Sequence, residues 1–230
     1  MRLTLLLLLA AGLVAGCGGG DDEAATPATT GGTATTATTA GPATTAEAGC
    51  REVEAPEPKP DGGQQAPEEE LDPARTYALV FETSCGSFTV ELDQEGAPKT
   101  AASLVALAEA GFYDGTTFHR VVPGFVIQGG DPTGTGTGGP GYQTVDVPPQ
   151  DAAYTQGVVA MAKAGFEAPG TAGSQFFVVT GADAGLPPEY AVVGKVTEGL
   201  DTALAIEALG SGDGPPSQPV VIERVTVQSG

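Results

Sequence analysis

The sequence predicts one mostly β domain, in which a largely antiparallel sheet closes on itself and two α-helices cap its ends. Three observations lead to this fold class. After residue 76, short apolar runs alternate with Gly- and Pro-rich turns, and only two stretches repeat apolar residues at helical spacing. Before residue 76, long stretches lack the large apolar side chains that a core needs. The predicted folded domain therefore covers residues 76–230.

The charge balance excludes one class of partner. The 230 residues include 9 Lys and Arg against 29 Asp and Glu, a formal net charge of −20. A protein that binds nucleic acid through counterion release needs a basic face. We therefore expect no nucleic-acid partner.

The N-terminus has the features of an export signal. Met1-Arg2 precedes an apolar run over residues 3–15, which is shorter than the roughly 20 residues that span a bilayer. The run ends in Val14-Ala15-Gly16-Cys17, which resembles the bacterial lipobox, where the Cys becomes the lipid-bearing N-terminus. An ordinary cleaved signal peptide is the alternative. We expect residues 1–16 to be a lipoprotein signal peptide and Cys17 to anchor the mature protein on the outer face of a bacterial membrane.

Residues 17–75 are predicted to be the lipidated Cys followed by a disordered tether. Residues 24–48 are almost wholly Ala, Thr, Gly and Pro, and residues 51–73 are rich in Pro and Glu. Such a composition offers too little apolar surface to offset the entropy of ordering the chain. The tether would hold the domain away from the membrane surface.

The three cysteines are accounted for by this arrangement. If Cys17 is lipidated, Cys50 and Cys85 remain, both in an oxidising compartment. A bond between them would close a loop of roughly 36 residues and add on the order of 3–4 kcal/mol in the chain-entropy model. Two free thiols are the alternative. We expect the disulfide.

The first elements of the domain are a hairpin and a helix. Two β-rich runs, 77–82 and 87–92, flank a short Cys-Gly turn. Pro98 suits the start of a helix, in which Leu104 and Leu107 repeat at helical spacing, and Gly111 ends it. A hairpin followed by a helix is therefore predicted.

The rest of the domain is predicted to be short strands with one further helix. A helix is expected over residues 200–209, stopped by Gly210. The strand-like runs are bounded by Gly and Pro, at residues 118–122, 125–128, 157–162, 175–180, 191–196 and 220–227.

Three blocks of this region resemble one family. Phe118-His119-Arg120-Val121-Val122-Pro123-Gly124-Phe125-Val126-Ile127-Gln128-Gly129-Gly130-Asp131 is similar to the signature of cyclophilin-type peptidyl-prolyl isomerases. Residues 157–162 with 173–178 match a second block, and residues 194–199 match a third, in the family's order and spacing. The resemblance covers about residues 76–229. It implies a closed, eight-stranded antiparallel β-barrel capped by two helices, which isomerises X–Pro bonds in unfolded or extended polypeptides. It implies no metal and no cofactor, and we expect a monomer.

The chemistry of this reaction favours an arginine. Rotation about a peptide bond has a barrier of about 18–20 kcal/mol, because the nitrogen lone pair is shared with the carbonyl. A catalyst must bind the twisted amide better than the planar one, and a fixed donor aimed at the proline nitrogen achieves this. Among the basic residues of the domain, Arg120 is the one inside an apolar, strand-like block. A surface ion pair is the alternative role for it.

The match to the family assigns roles residue by residue. Arg120 is the implied catalytic residue, and Gln128 orients it and the substrate carbonyl. The match implies that Phe125 and Phe177 line the proline pocket, and that Ala162 and Gln175 contact the peptide backbone. Leu186 and Tyr190 would form the far wall of the pocket. Val126 and Met161 are the other implied substrate contacts. His119, the only histidine, is not assigned as a base, because the rotation transfers no proton to a side chain.

Several positions depart from better-known members of the family. Gly185 stands where many carry an aromatic residue, and Lys163 stands where Asn is common. Residues 132–141 form a Gly-rich loop that lacks the Lys-Ser/Thr of phosphate-binding loops, so we expect a mobile loop beside the groove. Two other functions are weighed against the isomerase. A non-catalytic module that binds proline peptides would keep the same pocket, and a solute-binding lipoprotein fits the anchor but not a single small domain.

Overall fold

The structure, a computed structural model, describes residues 49–230. The predicted signal peptide, the predicted lipidation site at Cys17 and the Ala/Thr-rich part of the predicted tether lie outside the described residues. Within residues 49–230, no helix has the length and apolar character needed to cross a membrane.

The described residues form two helices and eleven strands. Helix α1 (Pro98–Glu109) begins at the proline that the sequence marks, whose fixed φ suits a first turn, and helix α2 is Leu200–Glu207. The strands are β1 (Tyr77–Thr83), β2 (Gly86–Leu92), β3 (Thr116–Thr117), β4 (Arg120–Val122), β5 (Val126–Gly129), β6 (Thr144–Val145), β7 (Val158–Met161), β8 (Thr171–Ala172), β9 (Phe176–Val179), β10 (Val192–Glu198) and β11 (Val221–Ser229).

Nine of these strands form one curled antiparallel sheet, in the order β3-β11-β1-β2-β10-β7-β9-β5-β4, while β6 pairs only with β8. The predicted mostly β fold with two helices is confirmed, whereas closure into a barrel of eight strands is not, because the sheet has nine strands. Within residues 49–230 no ladder joins β3 to β4, the two ends of the sheet. Both belong to the extended run 116–122, which pairs with β11 at its start and with β5 at its end. One stretch of chain therefore supplies both ends of the strand order, and the sheet curls round without a ladder between those two ends.

The strands alternate between two apolar clusters, because successive side chains point to opposite faces. On β9, Phe176 and Val178 lie in the main core together with residues of both helices, whereas Phe177 and Val179 lie in a second cluster. The stacked pair Phe81–Phe88, with ring centroids 4.8 Å apart, belongs to the main core. The second cluster, on the other face of β5, β7 and β9, includes most of the predicted substrate-binding residues.

Residues 50–64, which we call the N-terminal strap, are held against the domain. The predicted disulfide is present between Cys50 and Cys85. Next to it, the Arg51 backbone N–H donates to the Ser84 carbonyl at 2.8 Å. Further along, the Lys59 backbone N–H donates to the Pro132 carbonyl at 2.8 Å. The strap therefore runs from the β1–β2 turn to the Gly-rich loop.

The Lys59 side chain shows why the strap is bound. Its ammonium donates to three backbone carbonyls at 2.6–3.2 Å, those of Gly111, Phe112 and Asp114. Burial at this position lowers the pKa of Lys59. The predicted disorder through residue 75 is therefore wrong for the strap. That prediction counted apolar side chains, whereas the strap is bound by hydrogen bonds and a covalent bond.

Candidate active site

The floor of the site is the second apolar cluster. Its buried members include Val126 and Phe177, and Phe125, Ala162, Leu186 and Tyr190 pack partly buried against them. The Phe177 and Tyr190 rings meet edge to face, with centroids 5.7 Å apart. Six of the predicted substrate-binding residues thus share one apolar surface, which we call the apolar slot, and a surface of this kind suits a proline ring.

Tyr154 supports this slot from below and was not singled out from the sequence. It is almost fully buried, and its ring lies 6.4 Å from that of Phe177. Its hydroxyl donates to the Tyr190 carbonyl at 2.8 Å and accepts from the Tyr190 N–H at 3.0 Å. Tyr154 therefore fixes the backbone that carries Tyr190. Its sequence context gives no signal, because Tyr154 stands in a loop.

Met161 does not join this surface, contrary to the sequence prediction. It is fully buried in the main core. Its neighbours Ala160 and Ala162 lie on the opposite face with the second cluster. The two-residue period of β7 separates them, so Met161 contributes packing beneath the site and does not line it.

Arg120 lies at the edge of the apolar slot. Strand pairing places it directly opposite Gln128 on β5, and its Nη1 donates to Gln128 Oε1 at 3.3 Å. The guanidinium carbon lies 5.9 Å from the centroid of the Phe125 ring. About a third of the side chain, 32%, is exposed. A permanent cation with several donors thus stands between the apolar slot and solvent.

A relay of side-chain amides orients the acceptor that Arg120 uses. Gln128 Nε2 donates to Gln175 Oε1 at 3.1 Å, and Gln175 Nε2 donates to the Gly138 carbonyl at 2.9 Å. A carbonyl only accepts and a guanidinium only donates, so the two ends of the relay dictate which way each amide points. The predicted role of Gln128 in orienting Arg120 fits this contact, and Gln175 and the loop at Gly138 support it.

Asp213 is a further residue of the site, and it was not predicted from the sequence. Its carboxylate accepts from Arg120 Nε at 2.6 Å and from Nη2 at 2.9 Å. These hydrogen bonds lower the pKa of Asp213. The ion pair weighed above as an alternative role for Arg120 therefore exists beside its contact with Gln128. Asp213 lies in a Gly-rich loop after α2, and nothing in that loop distinguishes it from a solvated acid.

Lys163, at the departure from the family pattern, is not a free cation beside the groove. Its side chain is only 2% exposed, and its ammonium pairs with Glu189 at 3.2 Å. The same nitrogen lies 5.3 Å from the centroid of the Tyr190 ring. Lys163 therefore braces the wall that Tyr190 forms.

The Gly-rich loop is organised around one buried carboxylate. Asp131 accepts from the backbone N–H groups of Thr133, Gly136 and Gly138, at 2.7, 2.5 and 3.2 Å. Burial alone would raise the pKa of Asp131, but the hydrogen bonds outweigh it, and the pKa is lowered. The loop expected to be mobile therefore has a fixed anchor, and it presents Gly138 to Gln175.

His119 stands apart from these contacts. Burial lowers its pKa, and neither ring nitrogen has a hydrogen-bond partner within residues 49–230. Nor does this part of the chain bring three His, Cys, Asp or Glu side chains together in a way that would hold a metal ion. The polar groups gathered at the slot are Arg120, Gln128 and Gln175.

Comparison with known proteins identifies the family. The protein-family model described as cyclophilin type peptidyl-prolyl cis-trans isomerase/CLD matches residues 78–227 of this chain. The chain belongs to this family. The matched residues contain the apolar slot and the Arg120 relay, so the site lies within the cyclophilin domain.

Similar cyclophilins are found in bacteria. The peptidyl-prolyl cis-trans isomerase A of Mycobacterium tuberculosis is 38% identical over 175 residues, which cover 67% of this chain and 94% of the relative. The peptidyl-prolyl cis-trans isomerase B of Bacillus subtilis is 51% identical over 115 residues, which cover 49% of this chain and 78% of the relative. With the family match, these relatives show that this cyclophilin is a peptidyl-prolyl cis-trans isomerase.

A solved structure shares the fold. A cyclophilin-type isomerase of Cryptosporidium parvum is 33% identical, with a TM-score of 0.62, and the similarity covers 67% of this chain and 99% of that one. The same protein in the presence of the dipeptide Ala-Pro gives a TM-score of 0.60. The strap lies before the region that the cyclophilin model matches.

Proposed function

We propose that this cyclophilin isomerises X–Pro bonds in unfolded or extended segments of exported proteins, while a lipid on Cys17 anchors it to the outer face of a bacterial membrane. Two features support the location. The apolar run of residues 3–15 ends in the lipobox-like Val14-Ala15-Gly16-Cys17. The Cys50–Cys85 disulfide suits an oxidising compartment outside the cytoplasm.

The apolar slot holds the proline ring in this proposal. Phe125, Phe177, Leu186 and Tyr190 offer apolar surface but few donors, so we expect them to bind the cis and trans forms about equally. Equal binding of both ground states concentrates the substrate without lowering the barrier. The C. parvum relative was also solved in the presence of the dipeptide Ala-Pro, which contains one X–Pro bond. The slot therefore supplies binding, and the rate must come from the polar groups beside it.

Arg120 supplies the selective stabilisation of the twisted amide. Of its five N–H groups, Asp213 takes two and Gln128 takes one. One N–H on Nη1 and one on Nη2 have no acceptor within the described residues. As the amide twists, the lone pair returns to the proline nitrogen and becomes an acceptor for such a donor. The planar amide offers no such lone pair, so the bond forms chiefly in the transition state.

The observation that carries this function is the position of Arg120 between the Phe125 ring and Gln128. The experiment is NMR exchange spectroscopy of a short Ala–Pro peptide with the purified full chain, alongside a titration that measures peptide affinity. We expect exchange between the cis and trans resonances to be faster than uncatalysed isomerisation, which takes tens to hundreds of seconds. Binding without exchange would instead favour the non-catalytic module.

A further inference from the structure

One residue of the strap, Asp61, lines a cavity beside the slot. The cavity has a volume of about 730 Å³ and shares Gln128, Gln175 and Ala162 with the site. Its other lining comes from the Gly-rich loop, from the turn after β7, and from Asp61 of the strap. A client chain whose proline occupies the slot would therefore place a side chain a few residues away into this cavity.

The strap is fitted closely to the loop at this cavity. The Gly62 N–H donates to the Gly139 carbonyl at 2.9 Å, and Asp61 Oδ1 accepts from the Gly139 N–H at 2.8 Å. At Gly141, whose φ is +96°, an added Cβ would lie 3.1 Å from the Gly62 Cα atom. Only glycine permits this approach and this backbone conformation together. Asp61 is thus held at the cavity by backbone contacts on both sides of it.

The charges at the cavity do not cancel. Lys163 is the cation of the lining, but its ammonium is buried, where it pairs with the Glu189 carboxylate and donates to the Glu167 backbone carbonyl, each at 3.2 Å. The carboxylates of Asp61 and Glu167 accept only from uncharged groups: the Gly139 N–H for Asp61, and Gln143 and the Ala164 N–H for Glu167. Within the described residues, neither of these two carboxylates at the cavity forms an ion pair.

An exposed aromatic ring accompanies these carboxylates. Phe166 also lines the cavity and is 91% exposed, which is unusual for a phenylalanine. A ring in this position can contact the methylene stem of a long side chain and attract its cationic end. The combination of ring and carboxylates matches the chemistry of lysine and arginine.

We propose that Asp61, together with Glu167, is a specificity-determining residue that favours client segments with Lys or Arg a few positions from the proline. This inference rests on the proposed function. It assigns a part in substrate selection to a segment that precedes the region shared with other cyclophilins.

The test compares peptides that differ in one charge. Each peptide contains a single Ala–Pro bond and carries Lys, Gln or Glu at one position, either two or three residues before the proline or two after it. NMR exchange with the full, disulfide-bonded chain gives kcat/KM for each peptide. An exposed ion pair changes such a constant by a few-fold, so we expect Lys to exceed Glu by about fivefold at one position in low salt. The ratio should fall toward one at roughly 1 M salt, where screening is strong.

Matched variants assign the effect to its residues. Asp61→Asn and Glu167→Gln remove charge but keep an acceptor oxygen, and we expect the double variant to bring the Lys-to-Glu ratio close to one. Glu95→Gln removes an exposed charge at the β2–α1 turn, away from the cavity, and should leave the ratio unchanged. Because the ratio is taken within each variant, a general loss of activity does not affect it.

The outcomes separate this inference from the function on which it rests. Equal kcat/KM for Lys and Glu peptides at every position, with exchange intact, overturns the charge preference and leaves the isomerase in place. A preference that survives in the double variant overturns its assignment to Asp61 and Glu167. Absence of exchange with every peptide refutes the isomerase and this inference together.

Discussion

Arg120 and Asp213 form a two-bond ion pair in which the carboxylate binds the Nε and Nη2 edge of the guanidinium, at 2.6 and 2.9 Å. The Nη1 corner points the other way, to Gln128. The planar group is thus held at two places, and its orientation relative to the Phe125 ring is determined by both partners. In free solution the same side chain would populate many rotamers.

Loss of this orientation should lower the isomerase rate moderately. Asp213→Ala leaves the charge of Arg120 in place but frees one edge of it, and we expect kcat/KM to fall about two- to fivefold, since the pair is exposed. Peptide affinity, measured by titration, should change less than kcat. Asp213→Glu should recover part of the rate, because it keeps a carboxylate. An Asp213→Ala protein with a wild-type rate would show that Gln128 alone positions the guanidinium.

Removal of the guanidinium itself should have a much larger effect. Arg120→Ala deletes the donor that the twisted amide requires, and we expect kcat/KM to fall by roughly 10²–10³, or about 2.7–4 kcal/mol, by analogy with the loss of one oxyanion donor. Arg120→Lys should restore little, because an ammonium cannot bind Asp213 and Gln128 with the same planar fork. Exchange spectroscopy on an Ala–Pro peptide measures both variants. A folded Arg120→Ala protein with near-normal exchange would refute the assigned mechanism.

The membrane anchor has a separate test. Cys17→Ala removes the residue expected to carry lipid, so we expect the protein to move from the membrane fraction of the producing bacterium to the soluble fraction. Isomerase activity should be retained, because the slot and the Arg120 relay lie within residues 78–227. Immunoblots of the separated fractions decide the location. Membrane association that persists in this variant would contradict lipid anchoring at Cys17.

His119 predicts how stability depends on pH. Burial lowers its pKa, so the folded protein favours the neutral ring. Below about pH 6.5 the unfolded chain binds a proton that the folded chain does not yet hold, and stability should therefore decrease as the pH falls from 7.5 to 5.5. Urea unfolding across this range measures the decrease, which should be smaller in His119→Phe. As His119 is the only histidine, its ring signals can be followed by NMR, and titration at or above pH 6.5 would contradict this expectation.

The longer elements could be predicted because their patterns are strong. The hairpin of β1 and β2, the start of α1 at Pro98 and the start of α2 at Leu200 all lie where the sequence places them. The strands β6 and β8 were not predicted, since each has two residues and neither contains an apolar run. Short pairings of this kind depend on contacts that are distant in sequence.

The site could be predicted only in part, because some of its residues are close in sequence and others are distant. The family signature brings Arg120, Phe125 and Gln128 together within one stretch of chain, and the structure places them in contact. Met161 was misassigned because adjacent side chains of a strand lie on opposite faces of the sheet. A run of apolar residues does not show which of them lie on the face that forms the site. Asp213 lies 93 residues from Arg120, so no local pattern could join them.

The strap has a consequence for where the working enzyme begins. A protein trimmed to residues 76–230, the boundary that composition alone indicates, would keep the slot and Arg120. It would also expose Cys85 as an unpaired thiol and leave the carbonyls of the α1–β3 connection without the Lys59 ammonium. The minimal unit that preserves these contacts starts at Cys50, so the isomerase should be produced from that residue and in an environment that allows the disulfide to form.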